Sequence, residues 1–329
     1  MTASEILKAI PKLNVLVIGD ICLDRWCSYD PRTFEPSRET GIPRIGVVRT
    51  DVTPGAAGTV ANNLVGLGAG RVMVLGAIGD DGHGYELMRA LSTRSISAEL
   101  SVKSSLLGTF TYTKLINAET GIEDLPRVDY ISTQPLPSEV ESQILANLKT
   151  HINAFDVIMV SDQAETESGG VVTTSVRASL SKLAAGHPEK IVWVDSRMRP
   201  EHFRNAVIKP NYAEACAACM RQFGAVDYQQ FRRQTKAPFI VVTNGSEGVT
   251  VVEDNRQTQV RTKPEPNPVD ICGAGDSFSA GAAMALAITH DPIEAARFGN
   301  MVASITIMKK GTGTASPAEV LEAERDWPA

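Results

Sequence analysis

The chain has 329 residues, 43% of them hydrophobic and 21% charged, and a formal net charge of −6 at pH 7. That is enough apolar matter for a large core and argues against disorder, while the acidic balance and the lack of a basic stripe argue against a nucleic-acid partner. MTASEILKAI has no leader pattern, no apolar stretch approaches the ~18 residues of a membrane span, and the five cysteines lack the spacing of a disulfide framework. The expectation is a cytoplasmic protein in a reducing compartment, with no membrane partner.

In chain order, the first regular signal is VLVIG at 15–19, apolar on successive residues as a strand buried on both faces must be. Residues 25–54 break the pattern: they are rich in Pro, Arg, Thr and Asp, then alternate through Ile42, Arg44, Val47 and Arg49 like a half-exposed strand. A helical period over 57–68 closes in Gly66-Leu67-Gly68-Ala69-Gly70, ahead of the strand run VMVLG at 72–76. Dinucleotide-binding glycines follow a strand and open a helix, so these are read as a helix C-terminus.

Helical periodicity returns at 84–92. Residues 107–131 then carry two alternating runs, LGTFTYTKLI and IEDLPRVDYI, parted by a turn at 117–121. Paired, they make a small antiparallel sheet, a lid over the crevice at the strand ends where α/β sheets bind ligands. Helices at 138–150, 170–184 and 211–220 alternate with strands at 157–160, 191–194 and 239–242, and a hairpin partner follows at 248–252. Two helices end the chain, 273–288 and 293–308, and the residues after Glu322 read as unstructured. The fold expected is α/β: one doubly wound, mostly parallel sheet over 1–329, with lid insertions at about 25–54 and 107–131. Cys216 and Cys219 have metal-ligand spacing, but no second pair follows, so they read as small hydrophobes one turn apart.

The sharpest chemical signal is Asp270-Ile271-Cys272-Gly273-Ala274-Gly275-Asp276 ahead of a helical run. Glycines there leave the first amides of a helix free to hold a phosphate or a developing oxyanion. Asp276, in the first turn, could take a proton from a hydroxyl placed over amides at Gly273, Ala274 and Gly275. Its plainer reading is an acid stabilising the helix dipole.

In this segment the chain resembles the ribokinase-like (PfkB-type) carbohydrate kinases, whose hallmark is Asp-x-x-Gly-Ala-Gly-Asp. Gly79-Asp80-Asp81-Gly82-His83-Gly84, Lys209-Pro210-Asn211-Tyr212-Ala213-Glu214 and Thr243-Asn244-Gly245-Ser246-Glu247-Gly248 match three further family elements in order, and the likeness runs from Val15 to about Pro317. The resemblance implies an ATP-dependent kinase with Asp276 as base. Asn211 and Glu214 would hold Mg²⁺ mostly through water, and Thr243, Gly245, Gly248 and Asn300 would lie along the nucleotide. A monovalent cation such as K⁺ would sit beside the Asp270 loop. Apart from the resemblance, a small lid sheet has a free edge and one apolar face that another copy could cover, so a homodimer through the lid is expected. Asn211 and Glu214 also have the spacing of a capping box, and the two readings are compatible.

On the acceptor side the resemblance assigns Asp24, Gly55, Thr59, Asp162 and Asp270. The family's second glycine and asparagine are replaced by Ala56 and Thr59, which puts the sugar contact in doubt. VLVIGDICLDRW, SRETGIPRIGVV and GTGTASPAEV are similar to bacterial heptose-7-phosphate kinases, often fused to a nucleotidyltransferase domain for which this chain leaves no room. Arg197 and Arg199 fall near a lysine of that subgroup and suit a phosphate. The expected function is phosphorylation of a sugar or sugar phosphate, heptose 7-phosphate at its anomeric hydroxyl included. Another sugar or a nucleoside as acceptor, or a non-catalytic sugar- or nucleotide-binding homologue, are the alternatives. No G-x-x-x-x-G-K-[ST] loop occurs.

Overall fold

The computed structural model describes residues 1–327. VLVIG and its counterparts form an eight-stranded sheet in the order Arg256–Val260, Val249–Glu253, Ile240–Thr243, Val207–Ile208, Ile191–Ser196, Val157–Asp162, Asn14–Gly19 and Arg71–Leu75. All pairings from Ile240–Thr243 to Arg71–Leu75 are parallel; the two strands at the other edge turn back antiparallel. Side chains alternate across the sheet, so Val15 and Val17 join a core with the helices Ala57–Gly66, Ala274–Thr289 and Pro292–Thr306. Leu16 and Ile18 join the opposite core, with Ser138–His151, Thr174–Gly186 and Tyr212–Phe223. Both faces being covered is why these strands read as unbroken apolar runs. Cys219 lies fully buried in the second core and all five cysteines are free thiols.

A second sheet has four strands in the order Val128–Tyr130, Thr111–Asn117, Ile21–Tyr29 and Val47–Ala56. It is the lid, and it is mixed: Ile21–Tyr29 runs parallel to Thr111–Asn117 because the chain between them crosses back through the main body. The strands of its first segment begin at Ile21 and end at Ala56, wider than the 25–54 expected, so Asp24 lies within a lid strand. The chain leaves the main sheet at Gly19, where φ is +145° and a Cβ would lie 2.0 Å from the Ser161 carbonyl oxygen, so only glycine fits. Asp20 then fixes the departure: its buried carboxylate accepts the amides of Gln163 at 2.8 Å and Val171 at 2.7 Å.

The C-terminus corrects one expectation. A helix, Pro317–Arg325, continues past Glu322, because Ser316 and Glu319 form a capping box and Val320 is fully buried. The final two residues of that expected tail lie outside the described residues. Helices Ala3–Ala9 and Tyr228–Thr235 were also not expected; each is short, and each is held by a side-chain N-cap. Among the described residues no helix is long and apolar enough to cross a membrane.

The lid rejoins the body at Ala56, with φ 53° and ψ −120° immediately before helix Ala57–Gly66. An L-residue held there stores about 1–3 kcal/mol of strain, more than the ~0.5–1 kcal/mol of chain entropy that glycine adds. Ala56→Gly is therefore expected to raise the melting temperature, measured by calorimetry; a fall of several degrees would show the strain argument to be wrong.

Candidate active site

The C-terminal ends of the parallel strands and the inner face of the lid enclose a cavity of about 280 Å³. Its floor is the start of helix Ala274–Thr289. Gly273 caps that helix in the left-handed region at φ +78°, which tilts the first turn toward the cavity and places Asp276 in its lining. The amide of Ala274 donates to the Ile271 carbonyl at 3.2 Å and that of Ser277 to Gly273, which closes the turn. Among the described residues, the amides of Gly273, Gly275 and Asp276 have no protein acceptor. Of the three amides expected to face an anion, that of Ala274 is spent on the turn.

Behind the floor lies a cation that the sequence reading quoted but did not assign. Lys209 and Asp195 sit at the C-terminal ends of neighbouring strands, both buried, with Nζ 2.6 Å from a carboxylate oxygen. A Cβ on Gly275 would stand 3.4 Å from that same Nζ, so the ammonium backs directly onto the helix start. Asp276 feels the whole cluster. Burial and the Asp195 charge push its carboxyl up to about 7, Lys209 pulls the other way, and Asp24 and Arg197 act more weakly.

The lid wall follows from strand register. Directly paired residues share a face, so Thr53, Asp24, Tyr112 and Asp129 form one row and Trp26 with Lys114 the next. From these rows Asp24, Trp26, Tyr112 and Lys114 line the cavity, joined by Arg127. Asp24 is pushed up to about 6 by burial, against a hydrogen bond from the Cys22 thiol and the nearby Lys114 and Arg127. Gly55 lies opposite, and a Cβ there would come within 2.5 Å of both Asp24 carboxylate oxygens. Its bareness makes room for the acid. Ala56 and Thr59 complete that side; the Thr59 hydroxyl donates to the Pro54 carbonyl at 3.4 Å while its methyl faces Gly273. Gln163, Glu165 and Arg197 come from the loops after Val157–Asp162 and Ile191–Ser196, and Cys272 and Thr312 from the floor.

Several expected residues are elsewhere. Asp162 is 1% exposed and spends its carboxylate on Ser196 Oγ and on the Arg199 guanidinium at 2.9 and 3.1 Å, so neither Asp162 nor Arg199 is free to grip a ligand. Asp270 lies outside the cavity lining: it accepts the amides of Cys272 at 2.9 Å and Gly311 at 3.1 Å and shapes the loop ahead of the floor. Asn300 is buried and donates to the carbonyls of Val260 and Arg261. Gly248 is also buried, and a Cβ there would meet the Val260 carbonyl oxygen at 2.3 Å, so its glycine is explained by packing. Thr243 bridges to Asn211 across the strand ends, and Gly245 stands in open space beside them. Asn211 and Glu214 do form a reciprocal capping box, at 2.9 and 2.8 Å. Burial and Asp195 push the Glu214 carboxyl up, which brings it into the Asp195–Lys209–Asp276 cluster.

Lys114, Arg127, Tyr112 and Trp26 were missed as site residues. The signal was present: 24 and 26 share a strand face, as do 112 and 114, but their pairing could not be read without the register.

The family model of pfkB family carbohydrate kinases matches residues 13–319. A curated relative, bifunctional protein HldE of Trichlorobacter lovleyi, is 32% identical over 318 residues, covering 94% of this chain and 62% of the relative. The HldE of Pelobacter propionicus is 30% identical over 332 residues, covering 97% of this chain and 64% of its own length. The chain thus spans less than two thirds of these relatives. Among solved structures, a ribokinase from Thermotoga maritima matches with a TM-score of 0.70 at 19% identity, covering 95% of this chain and 99% of that one. Phosphofructokinase-2 from Escherichia coli, in complex with potassium, matches with a TM-score of 0.70 at 17% identity and the same coverage. At those identities the likeness is one of fold.

Asp276 also predicts a pH-dependent stability. Its folded-state value, about 7, lies above the usual 3.8, so the native state holds the proton more tightly than the unfolded chain. The resulting stabilisation is full below pH ~4 and is lost as pH rises through ~7. Asp276→Asn should accordingly melt above the parent protein at pH 8, with a margin that shrinks toward pH 5; a constant margin across that range would refute the assignment.

Proposed function

The chain belongs to the pfkB family of carbohydrate kinases, and from that premise we propose that it transfers the γ-phosphoryl group of ATP to a hydroxyl of a sugar phosphate, with heptose 7-phosphate at its anomeric hydroxyl as the leading acceptor. The observation that carries the reading is Asp276 in the cavity floor beside three unpartnered amides. A carboxylate poised near neutrality is matched to taking the acceptor's proton, and the amides of Gly273, Gly275 and Asp276 are matched to the charge on the transferring phosphoryl group. Lys209, held by Asp195, adds a fixed positive charge behind the same helix start.

The acceptor would lie between that floor and the lid. Asp24 suits sugar hydroxyls. Lys114, Arg127 and Arg197 give the cavity three basic groups, each oriented by a carboxylate: Glu123 at 3.5 Å, Asp129 at 2.7 Å and Glu165 at 3.0 Å. That favours an acceptor that is itself anionic over a neutral sugar or nucleoside. The lid excludes water that would otherwise take the phosphoryl group.

Thr243 and Gly245 lie on the open side of the strand ends, where a nucleotide could approach the floor. Among the described residues no three His, Cys, Asp or Glu side chains converge as a metal cage. The oxygen donors of Asn211 and Glu214 fit a magnesium ion held largely by water and nucleotide phosphates, which would neutralise the phosphate charge. A monovalent cation beside the Asp270 loop belongs to the same reading, supported by the potassium in the phosphofructokinase-2 structure.

The lid exposes Ile42, Val48, Ile122 and Tyr130, each more than half exposed. A homodimer through this face would cover them, and sedimentation should give twice the chain mass at micromolar concentration; one chain mass throughout would remove the dimer from the reading.

The main test is ADP release with MgATP over a panel of sugar phosphates, sugars and nucleosides. One acceptor should support turnover, on a pH profile that rises with an apparent pKa near 7, and Asp276→Asn should lower kcat by about 10²–10⁴-fold. ATP binding without turnover of any acceptor would instead support a ligand-binding homologue.

A further inference from the structure

One side chain joins the two halves of the cavity. Glu165, from the loop that follows strand Val157–Asp162, accepts two hydrogen bonds on the same carboxylate oxygen: from Tyr112 Oη of the lid at 2.8 Å and from Arg197 Nη1 of the body at 3.0 Å. The tyrosine is fixed on its other side, since the Arg127 guanidinium lies 4.6 Å from its ring centre and is itself held by Asp129 at 2.9 Å. Asp129, Arg127, Tyr112, Glu165 and Arg197 therefore form an unbroken chain from the lid's edge strand to the main sheet. Four of the five, all but Asp129, line the acceptor cavity.

We propose that Glu165 is a positioning residue for the acceptor, whose single carboxylate oxygen clasps lid strand Thr111–Asn117 to the body and aims Arg197 into the cavity. The proposal rests on phosphoryl transfer at Asp276. A charge-assisted acceptor suits the role, because it holds a neutral hydroxyl and a guanidinium at once and the two donors then lie on opposite walls. Arg197 lines the cavity with Tyr112 and Arg127, so its aim bears on where the acceptor sits. The Glu165 side chain is 30% exposed at the rim, outside both apolar cores, so its loss should leave the fold intact. Without it the lid keeps other ties to the body, such as Arg25 with Glu86 at 3.4 Å, but loses the bond from Tyr112 to the loop that carries Glu165.

The test compares Glu165→Ala, Glu165→Gln, Tyr112→Phe and the double variant Glu165→Ala/Tyr112→Phe. Two quantities are measured: the kcat and KM of ADP release with the acceptor that the parent turns over, and amide hydrogen exchange of the parent and each variant. Glu165→Ala should raise the acceptor KM at least about tenfold and change kcat by less than about threefold. Glu165→Gln should recover most of that loss, because its amide oxygen still accepts from both donors. The double variant should be no worse than Glu165→Ala alone, since Tyr112 then has no partner to lose. Exchange should quicken over 111–117 in Glu165→Ala and Tyr112→Phe and stay unchanged over 14–19. Additive losses, an unaltered KM, or unaltered exchange over 111–117 would each overturn the clasp. Absence of ADP release from the parent with every acceptor would overturn the kinase reading, and the exchange measurement would then decide the clasp alone.

Discussion

The site depends on the buried contact between Lys209 and Asp195. Two charges taken out of water cost several kcal/mol each and are tolerated only when paired closely, as these are at 2.6 Å. The pair stands at the ends of adjacent parallel strands, so the sheet itself sets its position, and helix Ala274–Thr289 is laid against it with glycine at the point of contact. Everything acidic nearby is then balanced against one ammonium. Asp276 and Glu214 are both pushed up by burial and by Asp195 and both pulled down by Lys209. The raised carboxyl of Asp276 is the product of that balance, and neither Asp276 nor its glycine turn would produce it alone.

The two sheets divide the labour differently. The main sheet is rigid because both faces are covered, and it supplies the ends of strands on which Asp195, Lys209 and Arg197 are fixed. The lid turns two rows of side chains toward the cavity, and its first segment joins the body at Gly19–Asp20 and at Ala56. The first junction is relaxed, with glycine where φ is positive and two amides satisfying Asp20. The second holds an alanine at φ 53° where the resemblance expects glycine. Strain of this kind beside the cavity persists only where the surrounding structure holds it in place.

How much of this was legible in the sequence follows from the kind of physics involved. The main sheet was readable because burial on both faces writes itself as continuous apolar runs, and the floor of the cavity because a glycine turn before a helix is a local device. The acceptor wall was not. Asp24 and Tyr112 are neighbours only because Ile21–Tyr29 and Thr111–Asn117 lie parallel in a given register, and nothing in either segment states that register. Residues judged by type alone were misplaced for the same reason: Asp162 and Arg199 suit a ligand in isolation, yet each satisfies the other.

The departures at Ala56 and Thr59 are better understood from the structure than from the resemblance. Thr59 turns its hydroxyl to the Pro54 carbonyl and its methyl to Gly273, and Thr312 approaches Gly273 through its own methyl at 3.2 Å from where a Cβ would stand. Hydrogen-bonding power on this side of the cavity is therefore low, while the opposite wall holds Lys114, Arg127 and Arg197. Asp24, made room for by Gly55, faces the cavity from the lid, and Asp276 faces it from the floor. Both acids are pushed above the usual carboxylate range, Asp24 by burial and Asp276 by burial together with the Asp195 charge.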